Sequence, residues 1–148
     1  MGRISDVLRN KGNAVITMSP QTPLSDLLDS LVQRNIGAVV VTEDGSHDAA
    51  VVGIVSERDV VHTVHEGAAN LLNDPISKIM TTSVVTCVPE DEVDNLMRTM
   101  TERRIRHLPV VVDGKLAGIV SIGDMVKARI GELEEEREHL HSYLAAGS

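Results

Sequence analysis

A chain of 148 residues with 42% hydrophobic and 24% charged residues is long enough for one compact domain or two small ones sharing a core. Its formal net charge of −8 argues against a duplex nucleic-acid binder, and the absence of Trp and Phe leaves only Tyr143 as a stacking platform for single strands. The longest apolar runs are strand-sized, so no membrane-spanning helix is expected, and the lone Cys87 with an opening that lacks an apolar signal core points to the cytoplasm.

Residues 3–8 read as a short helical turn ahead of a first strand at 15–17. Pro20 and Pro23 mark a turn, and Ser25 and Asp26 serve as capping or first-turn residues of a helix whose stripe is Leu24, Leu27, Leu28 and Leu31. Residues 38–41 form a continuous apolar strand, suited to burial on both faces. Glu43-Asp44-Gly45-Ser46 is turn chemistry, 51–55 is a returning strand, and 56–66 is a helix that Gly67 ends. A linker over 68–74 leads to a second helical turn at 75–80. A strand is then expected over 84–88, followed by a helix with Val93, Leu96, Met97 and Met100 on one side. A strand begins near His107, turns tightly at Asp113-Gly114, and returns to Ser121. A long helix over 125–144 closes the chain.

The second half repeats the first. Gly53-Ile54-Val55-Ser56-Glu57-Arg58-Asp59 returns as Gly118-Ile119-Val120-Ser121-Ile122-Gly123-Asp124. Val15 to Pro20 aligns with Val84 to Pro89 at an offset of 69 residues, and the offset holds through Arg34-Asn35-Ile36 against Arg103-Arg104-Ile105. It falls to 65 at the closing motif because the first hairpin is longer. Each half reads strand, helix, strand, strand, helix.

The last helix departs from the repeat. Val126, Ile130, Leu133, Arg137, Leu140 and Leu144 alternate steps of four and three, a heptad seam with one charged interruption. This stripe either packs on its own domain or forms a dimer seam.

Ser-x-x-Asp after a strand has two readings. Ser56 and Ser121 are good helix N-caps, and Asp59 and Asp124 three residues on complete a capping box that needs no ligand. The same geometry offers free amides and partial positive charge to an anion, a hydroxyl to a phosphate or sugar, and a carboxylate to a ribose diol. Two copies in one chain would create paired sites.

In order and twice over, these motifs, with Ile36-Gly37-Ala38-Val39-Val40-Val41 and Arg104-Ile105-Arg106-His107-Leu108-Pro109-Val110-Val111, resemble a tandem pair of cystathionine-β-synthase (CBS) domains, a Bateman module. The resemblance covers residues 3–131. It implies an α/β fold of two pseudo-twofold-related β-α-β-β-α repeats packed through their sheets, at 1–72 and 73–131, with a C-terminal helical tail at 132–148. It implies that Asp59 and Asp124 hold ribose hydroxyls, and that Ser56 and Ser121 lie near ribose or phosphate. The base would be bracketed by Val15, Ile16 and Thr17 with Gly37 and Ala38 in one half. In the other half Val84, Val85 and Thr86 would face His107, Leu108 and Pro109.

Phosphates need cations. Arg104 and Arg106 lie in the densest basic run of an acidic chain, Arg58 adjoins Asp59, Lys127 lies one helical step past Asp124, and Lys11 precedes the first strand. The halves are unequal, since Gly37 and Ala38 stand where the other half has Arg106 and His107, so unequal affinities are expected. His62 and His65 have helical spacing, but no further metal ligand is apparent and no metal is required.

The resemblance implies a regulatory module that binds AMP, ADP, ATP, NAD or another adenosyl ligand and reports it in trans to a protein effector. A homodimer is expected, and neither nucleic acid nor a membrane is an expected partner. The alternatives are a dimeric scaffold that takes no ligand, or a nucleotide-processing enzyme. Against the enzyme, the chain lacks a Ser-His-Asp or Cys-His set, a P-loop and Gly-x-Gly-x-x-Gly.

Overall fold

The computed structural model describes residues 2–12, 14–67 and 69–147; Met1, Asn13, Ser148 and Ala68, the first residue of the expected linker, lie outside them. The first half contains α1 (Ile4–Lys11), β1 (Thr17–Met18), α2 (Leu24–Gln33), β2 (Ala38–Thr42), β3 (Val51–Ser56) and α3 (Glu57–His65). Two 3-10 turns, Leu71–Asn73 and Ile76–Lys78, lead to α4 (Val93–Arg103), β4 (His107–Val112), β5 (Lys115–Ser121) and α5 (Ile122–Ala146). α2 begins at Leu24, with Pro23 as N-cap and Asp26 already in its first turn. It buries Leu24, Leu27 and Leu31, three of the four residues in its stripe.

β1 pairs in parallel with β2, which pairs antiparallel with β3 from Ala38↔Ser56 to Thr42↔Val51. Every residue of β2 is buried, as its unbroken apolar run requires. β4 and β5 form an antiparallel hairpin from His107↔Ser121 to Val112↔Lys115. Its two-residue turn holds Asp113 and Gly114 at φ 52° and 77°, the left-handed region such a turn needs.

The strand expected over 84–88 is corrected to an irregular segment. Only Cys87 pairs, by a single parallel bridge to Val110: its amide donates to the Pro109 carbonyl at 3.0 Å and its carbonyl accepts from Val111 at 2.9 Å. The Val88 amide is taken by the Asp91 carboxylate at 2.9 Å, which ends pairing one residue later. Burial, with a smaller contribution from Asp91, pushes the Cys87 thiol up to about 12, so it is an inert core group.

The opening segments are exchanged between the halves. Ile4, Val7 and Leu8 of α1 lie in a core with Val93, Met100, Leu108, Val110, Val120 and Met125. Ile76 lies in the other core, with Leu24, Leu27, Leu31, Val39, Val41 and Val55. The backbone repeats the exchange bond for bond. Ile4 N donates to Asp91 O at 2.9 Å, Ser5 N to Pro89 O at 2.9 Å, and Val93 N to Gly2 O at 3.0 Å. Their counterparts are Ile76 N to Thr22 O at 2.8 Å, Ser77 N to Pro20 O at 3.0 Å, and Leu24 N to Asp74 O at 2.9 Å. The repeated glycine of Gly-Ile-Val-Ser makes room for this. A Cβ at Gly53 would lie 2.7 Å from Met80 Sδ, and one at Gly118 would lie 2.9 Å from Leu8 Cδ2.

α5 runs unbroken for 25 residues, about 37 Å at the α-helical rise, and Met125 is its only fully buried side chain. The heptad stripe does not pack on its own domain: Val126, Ile130, Leu133, Leu140 and Leu144 are 42–60% exposed. Among the described residues no helix is long and apolar enough to cross a membrane.

Candidate functional site

Both Ser-x-x-Asp motifs form reciprocal capping boxes. Ser56 is the N-cap of α3: the Asp59 amide donates to Ser56 Oγ at 3.4 Å, while the Ser56 amide and hydroxyl donate to Asp59 Oδ2 at 2.8 and 3.1 Å. Ser121 caps α5 in the same way, with 3.1 Å from the Asp124 amide to Ser121 Oγ and 2.9 Å from the Ser121 amide to Asp124 Oδ2. Each box stabilises its helix by about 1 kcal/mol and needs no ligand. The two sites differ in what else reaches each carboxylate.

Asp59 opens onto a cleft of about 240 Å³ built by both halves. Gly37, Ser56 and Asp59 come from the first repeat, Val84, Val85 and the stretch Arg104 to His107 from the second. Ile54, Val84, Val85 and Ile105 supply aliphatic wall, and Arg58, Arg104 and Arg106 supply charge. Among the described residues, none of these three guanidiniums makes a hydrogen bond or ion pair. Arg104 terminates α4 at φ 56°, a left-handed conformation that its counterpart Asn35 (φ 51°) adopts more readily. That placement costs roughly 1 kcal/mol for a residue with an ordinary Cβ.

At Asp124 a lysine is already seated. Lys11, the last residue of α1, donates to Asp124 Oδ2 at 2.6 Å and to the Ile119 carbonyl at 2.7 Å. Burial works to raise the Asp124 pKa, but the Lys11 hydrogen bond, the Ser121 amide and the Lys11 charge outweigh it and hold the carboxyl below its ordinary value. The second repeat has Thr81-Thr82-Ser83 ahead of Val84; Thr81 and Ser83 line the first cleft, and that segment carries no lysine like Lys11.

His107 lines the first cleft and also feels the charge of Asp124. Its ring is close to Gly37, where a Cβ would meet Nε2 at 3.0 Å and push the ring aside by a few tenths of an ångström. Burial foremost, then the Lys11 charge, lowers its pKa below the ordinary histidine value against the pull of Asp124 and Glu57, so the ring is neutral at pH 7.

The first cleft thus gathers Gly37, Ser56, Arg58, Asp59, Arg104, Arg106 and His107. In the first cleft Gly37 shares the lining with Val84 and Val85, whereas Val15 to Thr17 lie outside it. Thr17 donates its hydroxyl to the Gly45 carbonyl at 2.6 Å, and Ala38, Leu108 and Pro109 are buried strand residues. Thr86 is exposed outside the cleft, and Ser121 serves as a cap. Asp124 and Lys127 face a separate groove between α1 and α5. Thr81, Ser83 and Glu57 join the first cleft with no advance signal in their spacing. His62 pairs with exposed Glu66 at 3.2 Å, and among the described residues no group of three metal-ligating side chains forms.

The lysine latch predicts an acid-dependent stability difference. A carboxyl whose folded pKa is depressed contributes stability above its unfolded value, near 3.9, and loses it as pH falls through the lower folded value. With Lys11 and Asp124 only 31% and 23% exposed, Lys11→Met is expected to cost about 1–3 kcal/mol at pH 7. In urea unfolding, the gap between the proteins should narrow below about pH 4. A gap that stays constant down to pH 2 would show that the pair does not stabilise the fold.

Two helix–hairpin–helix repeats that exchange their opening segments and enclose a cleft between them define a tandem-repeat module. The chain belongs to the CBS domain family, whose model matches residues 4–66 and 76–131. It is 35% identical, over 97% of its length and 72% of the relative's, to a mitochondrial CBS domain-containing protein of Arabidopsis thaliana. Its fold matches the crystal structure of a CBS-domain protein of Agrobacterium tumefaciens with TM-score 0.80 and 43% identity, covering 86% of this chain and 99% of that one. It also matches a Pyrobaculum aerophilum CBS domain protein complexed with AMP, with TM-score 0.72 and 26% identity over 83% of this chain and 89% of that one.

Proposed function

We propose that this CBS-domain pair is a regulatory module that binds an adenine nucleotide in the Asp59 cleft and reports it in trans to a partner protein. The observation that carries the reading is the convergence, on one aliphatic-walled cleft, of a capped helix N-terminus, a carboxylate and three unpaired guanidiniums. Asp59 would take the ribose diol, the α3 N-terminus and the arginines the phosphates, and Ile54, Val84 and Val85 the faces of the base. The AMP complex of the Pyrobaculum relative supports the ligand class.

The module acts by binding, not by catalysis. The ligand shifts the packing of the repeats only to the extent that it binds one arrangement better than another. A homodimer belongs to the proposal, supported by the exposed heptad stripe of α5. So does a cytoplasmic location, for which a single free Cys87 is suitable.

Calorimetric melting with AMP, ADP, ATP or NAD tests the reading, since the chain has no Trp for fluorescence. A bound ligand at a hundredfold excess over Kd is expected to stabilise the protein by about 2.7 kcal/mol. If none of these compounds moves the melt, the chain is a scaffold and the nucleotide reading is abandoned.

A further inference from the structure

Beyond residue 131, where the match to the CBS family ends, α5 continues to Ala146. Every residue from Leu133 to Gly147 is exposed. A helical stretch of this length is marginal in water unless one of its faces packs, because its nucleation is unfavourable. The face it offers is apolar: Leu133, Leu140 and Leu144 continue the exposed stripe begun by Val126 and Ile130. A stripe that alternates steps of four and three is the seam along which one helix takes another.

The charges flanking the seam select the occupant and its direction. Ile130, Arg137 and Leu144 take the a positions of the heptad, and Val126, Leu133 and Leu140 the d positions. The e positions are then Lys127, Glu134 and His141, and the g positions Arg129, Glu136 and Tyr143. In a parallel, in-register pair each g residue meets the e residue five places on in the other helix. Arg129, already bonded within its own chain to Glu132 at 3.0 Å, then stands opposite Glu134, and Glu136 opposite His141. Arg137 lies beside Glu136 of the second copy, so the charged interruption of the seam finds a carboxylate. An antiparallel pair overlapping the whole stripe sets Glu134 against Glu134 and Glu136 against Glu136. Sliding it by one heptad either way leaves two of the five apolar residues uncovered.

Resting on the homodimer of the reading above, we infer that a second copy of this chain covers the stripe, the two α5 helices forming a parallel, in-register two-stranded coiled coil. All five apolar residues are buried in that arrangement and none of its flanking carboxylates faces another. Arg137 sets the register: a charged residue at one a position weakens the coil but penalises every alignment that leaves it against apolar side chains alone. The parallel coil brings the N-terminal ends of both α5 helices, and with them both second repeats, to the same end of the dimer.

Sedimentation equilibrium of the full chain over a range of concentrations tests the inference. Leu140→Glu is expected to weaken the dimer at least about tenfold, and Arg137→Leu to tighten it by about as much. Both side chains are exposed in the single chain, so both variants should fold. Direction is read by oxidation, since the native Cys87 is buried and a thiol introduced on α5 is the reactive one. Leu140→Cys is expected to yield a disulfide-linked dimer by itself. Cross-linking only when Leu140→Cys is mixed with Ile130→Cys, or none in Leu140→Cys, overturns the parallel coil. A dimer indifferent to Leu140→Glu, or one lost instead in Val64→Glu on the exposed side of α3, overturns the coil and leaves the homodimer standing. A protein monomeric at every concentration overturns both, while the nucleotide cleft is judged separately by the melt with ligand.

Discussion

Asp59→Ala is expected to abolish the nucleotide-induced rise in melting temperature, whereas Asp124→Ala leaves most of it in place. The two residues occupy equivalent positions in matching capping boxes, so their sequence context does not separate them. Their surroundings do. Asp59 lines the open inter-repeat cleft, and its hydrogen bonds from Ser56 both fall on Oδ2. Asp124 already accepts the Lys11 ammonium on Oδ2 at 2.6 Å, so a sugar diol there would have to share its carboxylate with a cation. Removing Asp59 costs the unliganded protein about 1 kcal/mol of capping energy and removes the acceptor for the ribose. Asp59→Asn preserves more of the cap and should show the same loss of ligand response with a smaller fall in the unliganded melting temperature. The comparison is each variant's melt with and without nucleotide. An undiminished response in both Asp59 variants would sink the assignment of this cleft, as would a response lost only in Asp124→Ala.

Ile4→Ala and Ile76→Ala are each expected to cost about 2–5 kcal/mol, the range for emptying a fully buried aliphatic site. That is a large part of the 5–15 kcal/mol typical of a folded domain. Both side chains are completely buried although each lies in a short segment ahead of its own repeat. The location of the damage is the sharper expectation. Ile4 packs with Val93, Leu108 and Val110 of the second repeat, and Ile76 packs with Leu24, Val39 and Val55 of the first. Urea unfolding gives the size of each loss, and amide hydrogen exchange gives its place. Ile4→Ala should loosen Val110 and Val120 before Val39 and Val41, and Ile76→Ala the reverse. Preferential loosening within the mutated residue's own half of the sequence would show that the exchange of segments is wrong.

That exchange marks how much was legible from residues alone. The α2 stripe, the buried run of β2, the Asp113-Gly114 turn and the two Ser-x-x-Asp caps are local patterns, and each forms where its spacing indicates. The segment over 84–88 has the apolar β-branched residues of a strand, yet Asp91 takes the Val88 amide and pairing stops at one bridge. Side-chain composition could not reveal that competition for a single donor.

By itself, the sequence determined the duplication, the order of elements in each half, the family, and the residue types suited to a sugar and a phosphate. Only the tertiary structure decided which copies meet. Gly37 and Asp59 share a cleft with Val84, Val85 and Arg106, and Lys11 reaches Asp124 across 113 positions of chain. Hydrogen-bonding periodicity and capping act within a few residues and are written in local spacing. Contacts between repeats depend on how two similar surfaces dock. Similar halves leave that docking undetermined until the apolar side chains of α1 and Ile76 are buried in opposite cores.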